Sequence, residues 1–373
     1  FAYFCMEHHL QQEMNVLGIM SGTSMDGIDL ALCNVQQNEG NWTVEIIQAI
    51  TVPYNETWRV RLSQLRYQTP ELYAKTDVFY GRYLGELARG FQKESGLNID
   101  LVASHGHTIF HDPHGWLTAQ VGDGATLAAT AGIPAVTNFR RADVAAGGQG
   151  APLVTVGDEL LFSQYDACLN LGGFCNLSVG QGSDRMSFDI APCNIVLNRL
   201  ARERGLKFDE DGQIADSGNV IYPLLEKLNQ IKFYQRKGPK SLGREWINKE
   251  FWHIVRDFDD QPVEDRMKTL VMHCAVQIAR ALEMHSDKDV SELSVLVTGG
   301  GAFNKTLIDY IQSETSSNIV IPDKQLVNYK EAMIFALLGA MRVKNIANVN
   351  NRATGASVAV IGGSLDGDFS SFI

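Results

Sequence analysis

Apolar residues recur at two different spacings along the chain, and the changes of spacing mark out its elements. Residues 16–20 form a short apolar run, followed by the turn-rich Ser21-Gly22-Thr23-Ser24-Met25-Asp26-Gly27. Residues 28–35 and 42–50 read as two further strands, one mostly apolar and the other rich in β-branched residues. Together they predict a three-strand meander whose first turn is loaded with glycine and hydroxyl groups. From residue 70 to 91 the period lengthens: Leu72, Thr76, Phe79, Tyr80, Tyr83, Leu84, Leu87 and Phe91 share one helical face. Residues 99–104 return to a strand, which ends in His105-Gly106-His107.

A related pattern occurs again near residue 170. Ala167–Leu171 reads as a strand, Gly172-Gly173 breaks it, residues 177–179 resume it, and residues 186–189 follow a second polar turn. Strand, glycine-bearing turn, strand, turn, strand therefore appears twice, at a separation too long for a solenoid repeat. Residues 264–285 form an amphipathic helix with Met267, Leu270, Val271, Cys274, Ile278 and Leu282 on its apolar stripe. Ser294–Thr298 is a strand that runs into Gly299-Gly300-Gly301, with a helix from about Asn304. Residues 330–343 predict a mostly apolar, buried helix. Strands alternating with helices, plus two meanders, predict an α/β protein with mixed sheets, two domains and a cleft between them.

Composition narrows the partners. The 373 residues suit two domains, and 32 basic against 43 acidic side chains give a net charge of −11. That balance argues against nucleic acid, whose binding needs a basic surface. No apolar stretch reaches the roughly 18 residues of a membrane helix. Residues 1–12 lack a basic region followed by an apolar run and are read as an N-terminal extension, residues 1–13, rather than a signal peptide. The six cysteines (Cys5, Cys33, Cys168, Cys175, Cys193 and Cys274) form no Cys-x-x-Cys pair, so buried reduced thiols in a cytoplasmic protein are expected.

Three glycine-rich turns follow apolar strands, and such turns can aim several N–H groups at one anion. They point to phosphate. No Gly-x-x-x-x-Gly-Lys-Ser/Thr loop and no Gly-x-Gly-x-x-Gly fingerprint occurs. His105, His107, His111 and His114 lack an acidic or cysteine partner at metal-ligand spacing. Asp209-Glu210-Asp211-Gly212 has Lys207 where a calcium loop needs its first ligand, and Ser24 lacks the second glycine of a nucleophile elbow. Asp189 reads equally as a helix N-terminal acid or as a cleft-facing carboxylate at a strand end. Glu331, an acid opening a buried helix, and Arg140, in a turn, read as structural on pattern alone.

Gly18-Ile19-Met20-Ser21-Gly22-Thr23-Ser24-Met25-Asp26-Gly27-Ile28-Asp29 closely resembles the N-terminal motif of the anhydro-N-acetylmuramic acid kinases of bacterial cell-wall recycling. The resemblance continues in Ser104-His105-Gly106, Gly122-Asp123-Gly124, Phe139-Arg140, and Asp143-Val144-Ala145-Ala146-Gly147-Gly148-Gln149-Gly150-Ala151-Pro152-Leu153. It resumes in residues 169–176, Lys240-Ser241-Leu242-Gly243-Arg244-Glu245, residues 297–304 and Glu331-Ala332, and so spans the chain from about Asn15. It implies a two-domain actin- and hexokinase-like (ASKHA) fold with duplicated ribonuclease-H-like sheets and an interdomain cleft. On that reading residues 14–137 with about 353–373 form the first domain and residues 138–352 the second.

The resemblance further implies that ATP with Mg²⁺ opens the bridge of 1,6-anhydro-N-acetylmuramic acid and phosphorylates its 6-oxygen. The residues from Gly22 through Thr23, Ser24, Met25, Asp26, Gly27, Ile28 and Asp29, with Gly172, Gly173 and Asn176, would hold the phosphates, with Asp26 reaching Mg²⁺ through water. Gly299, Gly300, Gly301 and Asn304 would flank adenosine. Asp189 would be the general base, Glu331 an acid that positions substrate, and His105, Arg140 and Asn194 the sugar contacts. Asp189-Ile190-Ala191-Pro192-Cys193-Asn194 stands where the family usually has Asp-Thr-Gly-Pro-Gly-Asn, His107 where Gln is usual, and Asn138 where Asp is usual. An ordinary sugar kinase and a non-catalytic ATP-binding switch are the rival readings, and a homodimer is left open.

Overall fold

The computed structural model describes residues 13–372 except Thr23, Ser24, Asp26 and Pro239, with the backbone alone at Ser183. The proposed N-terminal extension, apart from its last residue, and Cys5 therefore lie outside the described residues, as do three members of the first glycine turn. Among the described residues are the strands β1 (Glu13–Ser21), β2 (Gly27–Asn38), β3 (Asn41–Pro53), β4 (Leu101–Asp112), β5 (Leu117–Val121), β6 (Ala135–Thr137), β7 (Ala167–Leu171), β8 (Phe174–Val179), β9 (Met186–Pro192), β10 (Ser294–Thr298), β11 (Asn318–Val320) and β12 (Ser364–Asp366). The chain divides into two compact units, one from Phe1–Leu161 with Tyr329–Ile373 and one from Phe162–Asn328.

The first unit holds a sheet in the order β12-β6-β4-β1-β2-β3, with β5 paired to β4. β1, β2 and β3 are an antiparallel meander, and β4 runs parallel to β1. Period-two alternation sends Leu17, Ile19, Leu30 and Val102 to one face, where the Pro70–Ser95 helix supplies Tyr80, Leu84, Ala88 and Phe91. Thr69 caps that helix by accepting from Leu72 N–H, and Gly96 ends it in the left-handed conformation. Phe79, expected on the buried face, is half exposed. The buried stripe instead runs through Gly81 and Gly85, where a Cβ would meet backbone oxygens of Asp123 and Leu127 at 2.4 and 2.7 Å, so small residues set the packing face.

The opposite face carries the Lys324–Val343 helix. Gly18 on β1 permits its approach, since a Cβ there would lie 1.9 Å from the Ala332 carbonyl oxygen. This helix begins six residues before the expected start, so Glu331 lies inside it and does not open it.

In the second unit the order is β11-β10-β7-β8-β9. β7, β8 and β9 form an antiparallel meander, while β10 runs parallel to β7 and β11 parallel to β10. Strand for strand this matches β6-β4-β1-β2-β3, so the duplicated α/β mixed-sheet pattern is present in both units. Its core gathers Leu169, Leu177, Leu197, Leu270, Ile278 and Leu307 from the sheet and from helices Asn194–Glu203, Val263–His285 and Lys305–Glu314. Residues 138–161 and 329–352, grouped with the second domain by sequence, fall in the first unit. Asp143 accepts from Gly150 N–H and Thr354 Oγ1, and Asn348 donates to the Leu338 and Gly362 carbonyls, which ties these segments together.

Candidate active site

In the first unit, β1 ends at Ser21 and the phosphate-loop candidate follows. Met25 takes a left-handed φ of 61° and donates its N–H to the Gly22 carbonyl, closing a tight turn. Thr23, Ser24 and Asp26 lie outside the described residues. Gly27 and Ile28 already belong to β2; the Ile28 side chain is in the apolar core, so it offers a ligand no side-chain contact. Asp29, one residue on, lies half-buried on the opposite face of β2 and accepts from Thr51 Oγ1 at 2.6 Å.

Behind this turn is a buried hydroxyl chain that sequence reasoning missed. Ser21 Oγ is hydrogen-bonded to Tyr54 OH at 2.5 Å and to His107 Nδ1 at 2.8 Å, and the Tyr54 hydroxyl bonds that of Tyr80. His107 therefore braces the last residue before the loop.

His105 and Arg140, both expected as sugar contacts, are hydrogen-bonded to each other. Arg140 Nε donates to His105 Nε2 at 2.9 Å, and His105 Nδ1–H donates to the Gly106 carbonyl at 2.9 Å. Burial, then the Arg140 charge, holds the imidazole well below its ordinary pKa, so the ring is neutral and this tautomer fits both contacts. A second Arg140 nitrogen bonds the Gly150 carbonyl at 2.5 Å. Burial lowers the guanidinium to about 10, against the opposing carboxylates of Glu331 and Asp143, which leaves it charged at neutral pH.

Glu331 lies in the same electrostatic neighbourhood. Burial pushes its carboxyl up; Lys330 and Arg140 oppose that, while Asp29 and Asp158 add to it. Lys330 itself is paired with Asp158 at 3.0 Å, both almost fully buried. The pair joins residues 172 positions apart, and its one sequence signal is a Lys-Glu dipeptide inside an apolar helix.

The second unit carries Gly172, Gly173, Asn176, Asp189, Asn194 and Gly299-Gly300-Gly301 on the neighbouring strands β7, β8, β9 and β10 and the turns and helix start beside them. Gly172 and Gly173 form the β7–β8 turn. Their carbonyls accept the N–H groups of Asn194 (3.2 Å), Cys193 (2.9 Å) and Ile195 (3.2 Å). The first N–H groups of the Asn194–Glu203 helix are thus taken, so an anion here must use the turn's own N–H groups. Asn194 Nδ2 donates to the Leu171 carbonyl and lies 3.8 Å from where a Gly300 Cβ would stand, placing Asn194 against both glycine turns.

The three glycines after β10 differ in purpose. Gly299 has φ +83°, and a Cβ there would strike Asn170 Oδ1 at 2.4 Å; a Cβ on Gly301 would strike Leu171 at 2.7 Å. Of the three, Gly300 has room for a Cβ, which would meet Asn194 Nδ2 at an ordinary contact distance of 3.8 Å. Asn304 caps the Lys305–Glu314 helix by accepting from Leu307 N–H at 2.9 Å.

Asp189 stands inside β9, which continues to Pro192; it neither ends the strand nor opens the helix. Its cross-strand partner on β8 is Asn176. Its backbone N–H donates to the Lys240 carbonyl and its Oδ2 accepts the Leu242 N–H at 2.7 Å. Burial raises the carboxyl to about 6, partly offset by the Leu242 hydrogen bond. That value suits a group that must accept a proton near neutrality.

The family model described as anhydro-N-acetylmuramic acid kinase matches residues 14–366. Curated relatives carrying that name include one from Caldanaerobacter subterraneus, 32% identical over 95% of this chain and 97% of the relative. Another, from Pseudomonas fluorescens, is 34% identical over 91% of this chain and 96% of the relative. Among solved structures the chain is similar to the activator of the 2-hydroxyisocaproyl-CoA dehydratase from Clostridium difficile with bound ADPNP, at 12% identity and TM-score 0.45, covering 89% of this chain and 96% of that one.

Proposed function

The chain belongs to the anhydro-N-acetylmuramic acid kinase family, and from that premise we propose how its own residues carry the reaction. It is a phosphotransferase of cell-wall recycling: ATP and water convert 1,6-anhydro-N-acetylmuramic acid to N-acetylmuramic acid 6-phosphate. Asp189 takes a proton from water as the water oxygen bonds the anomeric carbon. The bond from that carbon to the bridge oxygen breaks, its electron pair stays on the 6-oxygen, and this oxygen takes the γ-phosphoryl group as ADP departs.

The observation that carries this reading is the half-buried Asp189 carboxyl, raised to about 6 and fixed in direction by Leu242. Phosphoryl transfer asks a protein for positioning and charge neutralisation more than for covalent chemistry. The N–H groups of Gly22, Gly172 and Gly173 supply donors, and the absence of a side chain at Gly300, beside Asn194, leaves room for the nucleoside. The permanent charge of Arg140, steadied by neutral His105, suits the lactyl carboxylate, while Glu331 positions sugar hydroxyls. Carboxylate oxygens such as Asp29 are the hard donors Mg²⁺ takes. Mg²⁺ so held would neutralise phosphate charge, with Asp26 contributing through water.

No helix among the described residues is long and apolar enough to cross a membrane. Work on a recycled sugar with ATP belongs, in this reading, to the cytoplasm. The test is ADP release with the anhydro sugar as sole acceptor. Turnover on free N-acetylmuramic acid at an equal rate would instead mark an ordinary sugar kinase, and ATP binding without sugar-dependent ADP release a non-catalytic switch.

A further inference from the structure

Three of the five described cysteines meet at one point. Cys175 lies on β8, Cys193 immediately precedes the Asn194–Glu203 helix, and Cys274 lies on the Val263–His285 helix. Their Sγ atoms all lie within 4.8 Å of one another, and the residues are 0, 0 and 1% exposed. We propose that Cys175, Cys193 and Cys274 form a three-sulfur site for a soft monovalent metal ion of the Cu(I) class.

Geometry favours a three-coordinate ion. Around a metal with sulfur bonds of about 2.3 Å, three sulfurs in a plane stand about 4 Å apart, so sub-ångström shifts close the site. Among the described residues the metal-ligating group stops at three. His273, beside Cys274 in sequence, has both ring nitrogens engaged, by Asn229 Oδ1 at 2.7 Å and Tyr234 OH at 3.0 Å. A structural zinc ion takes four ligands, whereas soft thiolates alone also select Cu(I).

The surroundings are apolar, with Leu171, Leu177, Ala191, Val196, Leu270 and Ile278 in the same core cluster.

The site also has a definite place in the fold. Cys274 Sγ donates to the Pro192 carbonyl at 3.1 Å, and Cys193 N–H donates to Gly173, so an ion would join the elements that carry the second glycine turn and the Asp189–Asn194 segment. Cys193 stands where the resembling motif has glycine.

The test uses reduced full-length protein under anaerobic conditions with Cu(I) offered against bicinchoninate. Loading is done on native protein and during refolding, because a sealed core admits an ion only when it opens. The expected result is one Cu(I) retained per chain by the wild type and by a Cys5→Ser/Cys33→Ser/Cys168→Ser variant. Cys193→Gly and Cys175→Ala should each weaken retention by about tenfold or more. X-ray absorption of the loaded wild type should show three sulfur neighbours, a readout that needs no variant. No retention by either loading route, or retention unchanged in Cys193→Gly, would reduce the cluster to packing. Preference for Zn(II) over Cu(I) would overturn the monovalent assignment.

Discussion

Leu242 holds Asp189 in place: its backbone N–H donates to Asp189 Oδ2 at 2.7 Å, while the Asp189 N–H donates to the Lys240 carbonyl at 2.9 Å. The Lys240-Ser241-Leu242 segment thus grips backbone and side chain together. One hydrogen bond to a carboxylate lowers its pKa, yet burial wins here and leaves Asp189 at about 6. A base so tuned is mostly ionised at pH 7 and still basic enough to take a proton.

Asp189→Asn should therefore lower turnover by at least 10²–10⁴-fold, roughly the contribution of a placed general base. The wild-type kcat/KM should fall as pH drops through about 6. Stability should move the other way. A carboxyl whose folded pKa lies above its unfolded value adds stability at low pH and loses it as pH rises through the folded pKa. At pH 8 the wild type therefore carries a cost that Asn lacks, on the order of 1–3 kcal/mol. Thermal melts should show Asp189→Asn more stable at pH 8, with the gain shrinking towards pH 4. Near-normal turnover removes Asp189 from the mechanism.

Arg140 tests the sugar end. Arg140→Lys keeps the charge but cannot hold His105 Nε2 and the Gly150 carbonyl as the planar guanidinium does. KM for the anhydromuramic substrate should rise about 10-fold or more, the loss of one charge-assisted pair. An anhydro-N-acetylglucosamine analogue, which lacks the lactyl carboxylate, should show a much smaller change. Equal losses on both sugars would mean that Arg140 supports the loop and not the carboxylate.

Much of this architecture was legible in the chain because local pattern dictated it. Both meanders, the Pro70–Ser95 and Val263–His285 helices and the turns at Gly172 and Gly299 follow from periodicity and glycine placement. The short strands β6, β11 and β12, three residues each, escaped because their pairing is set by distant neighbours. The start of the Lys324–Val343 helix was hidden by the polar Lys324, Gln325, Asn328 and Tyr329 that precede its apolar run. Among site residues, His105 and Arg140, named by the motif resemblance as sugar contacts, touch each other, a contact that no spacing in the sequence reveals. The Lys330–Asp158 pair, the Ser21–His107 contact and the cysteine triad each join residues far apart in sequence, and no spacing rule reveals such meetings.

Gly299 and Gly300 separate nucleotide binding from folding. Gly300→Val adds a side chain whose Cβ meets only Asn194 Nδ2, at an ordinary 3.8 Å, so KM for ATP should rise well before sugar affinity changes, with little loss of stability. Gly299→Ala forces a left-handed φ on a residue with a Cβ and drives that Cβ to 2.4 Å from Asn170 Oδ1. It should destabilise the fold by about 1–3 kcal/mol. Melts with and without ATP, beside steady-state kinetics, distinguish the two; a Gly300→Val protein that merely unfolds would deny Gly300 a nucleotide role.

Lys330 and Asp158 make a similar pair of opposites. Lys330→Met leaves a buried carboxylate alone and should cost about 3–5 kcal/mol, whereas Lys330→Met with Asp158→Leu should recover most of it. Losing the Lys330 charge should also raise the Glu331 carboxyl further, since that charge opposes the upward push of burial. Denaturant melts of the two variants decide it: equal destabilisation would show that the pair does not act as a unit.

The last prediction concerns the coupling of ring opening to phosphoryl transfer. If Asp189 activates water against the anomeric carbon, the new anomeric oxygen comes from solvent, and the phosphorylated oxygen is the former bridge. In heavy-oxygen water, quenched before anomeric exchange, label should appear at the anomeric hydroxyl and be absent from the ester oxygen joining sugar to phosphate. The two events should also be inseparable. The departing 6-oxygen develops negative charge, and the interaction that relieves it, bonding to the γ-phosphorus, exists only in the transition state. Without ATP the bridge should therefore stay closed, and with Asp189→Asn both opening and ADP release should fail together. Bridge opening without ATP, or a phosphorylated product that keeps its anhydro ring, would refute the concerted step while leaving the protein a kinase.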